Sequence, residues 1–126
     1  MLSSADTARA AVADTILALE RSCLEAESAF VERRWDDVER AFGAQSALTG
    51  ELGRLFVAEP QTAPENDVKV EQRVRGILAY RDDQLRRMRV YHADVESRLQ
   101  SIGKVRALSR SIGNGERTGA LYDTQQ

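Results

Sequence analysis

Apolar residues recur along this chain in steps of three and four, the period of a helix with one buried side. Val12, Ile16, Leu19, Cys23, Ala26 and Phe30 form one such line, and Leu17, Leu24 and Val31 form a second, offset from it. Together they predict a first helix, beginning near Ala5 within segment 1–34, that touches two neighbours. A second line, Val38, Ala41, Phe42, Leu48, Leu52, Leu55 and Phe56, predicts a helix over 36–57. Asp36 is the expected N-cap there, and Glu39, three residues on, completes a capping box. One unbroken helix through Trp35 is the other arrangement this period allows.

The pattern stops once. Pro60 and Pro64 are the only prolines, and they mark 58–66 as a loop, because proline removes an amide donor and disfavours helix in its predecessor. A third helix is expected from an N-cap at Asn66 or Asp67 to about Ile112. It carries Val70, Val74, Ile77, Met88, Tyr91, Val95, Ile102, Val105 and Ile112, with Leu78, Leu85 and Leu99 in a parallel row. Gly113-Asn114-Gly115 is expected to end it, leaving 113–126 as a flexible tail. No strand signal competes. The expected fold is all-α, a single domain over 1–126 in which an antiparallel helical hairpin packs on a long third helix.

The helix lengths do not match. A second helix of this length covers the third only to about Arg89, so the segment from about Val90 to Ile112 either projects or, if Gly103 breaks the helix, folds back. It still carries Tyr91, Val95, Leu99, Ile102, Val105, Leu108 and Ile112. An apolar stripe with no cover in its own chain marks a candidate protein-binding surface, and these seven residues are the predicted client-binding site.

Composition sharpens this picture slightly. An apolar share of 42% with 30% charged residues suits a folded protein rather than a disordered one. The net charge of −2 does not suggest a nucleic-acid binder. Charge is divided unevenly: residues 1–57 hold six Arg against ten Asp and Glu, and 67–126 hold twelve Lys and Arg against eight. That division predicts helix surfaces of opposite sign that pack together. Cys23 is the only cysteine, so no internal disulfide forms, which suits a reducing cytoplasm. No secretory signal and no membrane span are expected.

Chemistry finds little to work with. With His92 as the only histidine, histidine-based zinc or di-iron sites within one chain are excluded. His92 shares a face with Leu85 and Leu99 and reads as a seam or surface residue. Cys23 reads as a buried thiol. Gly113 to Gly119 has the glycines of a phosphate loop but lacks the Gly-Lys-Ser/Thr ending and follows a helix. Arg86-Arg87-Met88-Arg89 is flanked by Asp82, Asp83 and Asp94 and reads as a solvated, ion-paired face. Gly43, Ala47 and Gly50 share a helix face, marking either a close helix approach or a lapse in propensity. Trp35 reads as a cap on the end of the hairpin. No enzyme, cofactor or metal is expected.

Residues 26–52 carry a resemblance. Glu27-Ser28-Ala29-Phe30-Val31-Glu32-Arg33-Arg34-Trp35-Asp36-Asp37-Val38-Glu39, followed by Ala41-Phe42, Gln45, Leu48 and Leu52, resembles the helix-turn-helix stretch of flagellar type III export chaperones of the FlgN and FliT kind. The short helix pair, proline loop and long last helix are similar too. The resemblance implies a cytoplasmic chaperone, monomeric or weakly dimeric. Such a chaperone holds flagellar hook-filament junction or cap subunits along its C-terminal helix and delivers them to the export gate. In the FlgN branch a tyrosine in a Tyr-Gly-x-x-Gly-like ending contacts the gate. Here Ala120-Leu121-Tyr122-Asp123 keeps only the tyrosine, so the resemblance carries that role to Tyr122 alone. The competing expectation is a coiled-coil scaffold or regulatory adaptor that self-associates through the same helix.

Overall fold

Ser3 opens the first helix. Its backbone is extended, and its side chain accepts a hydrogen bond at 3.1 Å from the amide of Asp6, itself an acidic residue in the first turn. The computed structural model describes residues 3–119. Over these it is all-α, with α1 Ser4–Val31, α2 Trp35–Ala58 and α3 Val68–Gly119 and no strand among the described residues.

Helix α1 ends at Val31, the last residue of its apolar rows. Arg33 takes the left-handed conformation at φ 59°, its amide donates to Phe30 O at 3.1 Å, and the amide of Arg34 donates to Ala29 O at 2.8 Å. This is a Schellman stop, with arginine where glycine is usual. The left-handed backbone costs a side-chain-bearing residue about 1–2 kcal/mol. Offsetting that, the Arg33 guanidinium donates to Phe30 O at 2.7 Å and lies 4.8 Å from the centroid of the Phe30 ring. The Trp35 ring lies against the same ring, tilted by 57° with centroids 6.0 Å apart, so this aromatic pair sits at the hairpin end, as expected of Trp35.

The capping box at Asp36 does not form. Helix α2 starts one residue earlier, at Trp35, with Arg34 in the cap position and no side-chain cap. The carboxylate that matters is Asp37, which ion-pairs with Arg34 and, at 2.7 Å, with Arg40. Its hydrogen bond to Arg34 holds the carboxyl below its ordinary range. With its carboxylate engaged by two guanidiniums, Asp37 serves the helix start as a first-turn acid rather than as a cap.

The proline loop is ordered by its own hydrogen bonds. Pro60–Thr62 forms one 3-10 turn, the Thr62 hydroxyl donates to Glu59 O at 2.7 Å, and the Asn66 amide donates to Pro60 O at 2.9 Å. Asp67 caps α3, accepting from the amides of Lys69 at 3.0 Å and Val70 at 3.2 Å. The helix it starts does not stop at Gly113-Asn114-Gly115 but continues to Gly119. A glycine ends a helix by turning left-handed, and no described glycine does so.

The chain divides into two compact units, Met1–Arg86 and Arg87–Gln126. The core lies in the first. Val12, Ile16, Leu19 and Cys23 of α1 meet Leu52 of α2 and Ile77 of α3, surrounded by Leu48, Leu55, Phe56, Val70, Val74 and Tyr80. The main seam of α1 is therefore buried as its period predicts. Its second row is not: Leu17, Leu24 and Val31 are exposed, as are Leu78 and Leu85 on α3, so both neighbours of α1 meet its main seam instead.

No helix approaches the glycines of α2 either. A Cβ added at Gly43 or Gly53 meets nothing within 4 Å, and at Gly50 only the tip of Arg54. These glycines are lapses in helix propensity. Gly43→Ala and Gly53→Ala should each stabilise the protein by about 0.5–1 kcal/mol. Urea titration should show a higher midpoint at unchanged slope; a lower midpoint would reveal a neighbour pressed against that face.

Candidate protein-binding surface

Two polar side chains that the apolar pattern passes over are buried within the first unit. Gln45 of α2 and Gln84 of α3 are fully buried. Gln45 donates to Ser22 O at 3.4 Å, and Gln84 donates to Cys23 O and to Glu27 Oε1, both at 3.2 Å. The Ser22 hydroxyl in turn donates to Ala41 O at 3.0 Å. Adjacent carbonyls of α1 thus anchor one amide from each of the other helices, while Oε1 of each glutamine has no protein partner. Both positions keep the seam spacing, four residues after Ala41 and seven after Ile77. Spacing alone locates them; polarity hides them.

Beside this layer, α1 and α3 leave a groove of about 400 Å³ whose lining is mostly apolar and includes Cys23, Leu24, Gly76, Ile77 and Tyr80. Its rim holds the ion pair that joins the acidic first half to the basic second half: Arg73 grips Glu20 at 2.6 and 3.3 Å. Burial pushes the Cys23 thiol above its ordinary value against the lowering influence of Arg81, with Glu20 adding to the rise. A protonated, buried thiol is a poor nucleophile. Alkylation of Cys23 should run about a hundredfold slower than that of a free thiol and accelerate in step with unfolding. Rapid modification of the native protein would show instead that the groove opens to solvent.

The other candidates resolve simply. His92 is exposed, with Nδ1 3.9 Å from Glu96. Arg86 pairs with Asp83, as expected of a solvated face. Among the described residues no group of three or more His, Cys, Asp or Glu is arranged to hold a metal ion, and no helix is long and apolar enough to cross a membrane.

The predicted stripe lies in the second unit. Tyr91 and Val95 are half-buried, whereas Leu99, Ile102, Val105, Leu108 and Ile112 are 46–63% exposed. No described residue beyond Gln84 is buried. From Tyr91 to Ile112 the seven residues advance by four, four, three, three, three and four positions, an average of 3.5. That is the repeat of a helix seam that winds around another helix, here over about 32 Å. Among its residues, all seven stripe positions are thus present on one helix; Tyr122 lies outside the described residues.

From residue 97 onward the charge around the stripe is of one sign. Residues 97–115 hold Arg98, Lys104, Arg106 and Arg110 and no Asp or Glu. A count over a short window finds this; the division at residue 57 averaged it away.

Comparison with known families, curated proteins and solved structures returns no match.

Proposed function

We propose that this chain is a protein-binding export chaperone of the flagellar type III system. It holds a hook-filament junction or cap subunit in the cytoplasm through the stripe from Tyr91 to Ile112 and hands it to the export gate. The observation that carries the binding role is the line of five large aliphatic side chains, exposed on a helix and spaced for a helical partner. The flagellar assignment is supported by the resemblance of residues 26–52. The reading needs no catalytic group, cofactor or metal.

Deleting the gene in the native host should lower secretion of one junction or cap subunit, and that subunit should form a stable complex with the purified chain. Unchanged secretion of all of them would remove the flagellar role. Tyr122→Ala should spare the complex and reduce secretion; loss of the complex would place Tyr122 in client binding instead.

A second reading is favoured by the 3.5-residue repeat itself, which also suits pairing of the stripe with its own copy as a scaffold. Sedimentation separates the two. A chaperone without client is mainly monomeric, or a dimer that its client dissociates, whereas a scaffold stays oligomeric throughout.

A further inference from the structure

We infer that the helix received by the stripe is acidic: an amphipathic segment whose apolar seam is flanked by Asp and Glu. This rests on the reading of the stripe as the client-binding surface and adds the chemistry of the partner. Lys104, Arg106 and Arg110 have no Asp or Glu three or four positions away in either direction, so no carboxylate of their own helix is within ion-pair spacing. Arg98 differs, pairing with Asp94 at 3.1 Å. Arg106 stands four residues after Ile102 and Lys104 four before Leu108, so a helix laid along Leu99, Ile102, Val105 and Leu108 brings its flanking positions beside these two cations, whose aliphatic stems extend the apolar seam, with Arg110 one turn beyond Arg106.

Charge and apolar surface together weigh against a parallel second copy, a membrane and nucleic acid. A parallel second copy sets the anion-free segment 97–115 against itself, four cations facing four. An anionic membrane surface favours a helix with its cations on the face opposite the apolar one. Here Arg98 stands seven residues from both Tyr91 and Val105, within the stripe's own line. Nucleic acid answers the cations but leaves five exposed aliphatic side chains without a counterpart.

The test uses the full-length protein and three-heptad helical peptides with one Leu/Ile seam, flanked by Glu, by Gln or by Lys. The Glu peptide should bind at least tenfold more tightly than the Gln peptide at low salt, with the Lys peptide weakest, and the differences should shrink in high salt. Lys104→Glu with Arg106→Glu and Arg110→Glu should reverse the order; circular dichroism checks that the variant is folded, and the salt series on the unaltered protein stands independently of it. Equal affinity for the three peptides overturns the inference, as does preferential binding to phosphatidylglycerol vesicles or duplex DNA, or self-association that excludes the peptides. If the charge order holds while gene deletion leaves flagellar secretion intact, the acidic partner stands and the export role falls. If a junction subunit binds through the stripe with no dependence on these cations, the export role stands and the acidic partner falls.

Discussion

Replacing Leu99 and Ile102 by Asp should severely weaken binding of the proposed client and leave the melting of the first unit where it was. Leu99 is 61% exposed and Ile102 46% exposed, so neither is committed to a core in the free chain. On a partner helix each large aliphatic side chain contributes about 1.5–3 kcal/mol of transfer free energy. Losing both weakens binding by roughly two to four orders of magnitude, before the added burden of facing two carboxylates into an apolar seam. Titration calorimetry measures the loss, and thermal unfolding followed by circular dichroism measures the sparing. A double variant that binds its client normally removes the stripe from the mechanism. A fall in melting temperature shows that the two side chains belong to a folded core instead.

Ile16→Ala produces the opposite pattern, a large loss of stability with the stripe untouched. Ile16 is completely buried and sits mid-seam on α1, packed in a cluster with Val12, Leu19, Cys23, Leu52 and Ile77. Removing its side chain should cost about 2–5 kcal/mol through lost transfer energy and the cavity left behind. For a unit of this size each kcal/mol corresponds to about 4–8 °C, so the melting temperature should fall by at least about 8 °C. A shift of only a few degrees means that α2 and α3 collapse onto the vacated space.

The contrast shows where the sequence was a good guide. The seam from Val12 to Phe30 was legible because it alternates threes and fours over five turns and the structure buries every member. The Asp67 cap and the proline loop were legible because each depends on local chemistry only. Leu17, Leu24 and Val31 misled because helical spacing says which side chains share a face and not whether anything lies opposite. Gly113-Asn114-Gly115 misled for a related reason: glycine permits a left-handed stop without requiring one. Asp36 was one residue from the true helix start, a distance at which cap position and first turn exchange roles. Gln45 and Gln84 were hidden because burial of a primary amide depends on acceptors from another helix, which no single-helix pattern contains.

Those two amides constrain how the helices slide. The α1 seam includes Ala8, Ala26 and Ala29, small enough that neighbouring helices displaced by one turn, about 5.4 Å, still find an apolar surface. Hydrophobic burial by itself discriminates weakly among such offsets. An amide does not: shifted by a turn, Gln45 leaves Ser22 O and Gln84 leaves both Cys23 O and Glu27. Each stranded polar group then costs about 1–3 kcal/mol. The two glutamines therefore act as an axial vernier, selecting one alignment of three otherwise slippery cylinders. Within the first unit the same pair also sets which faces of α2 and α3 turn toward α1, so register and rotation are chosen together.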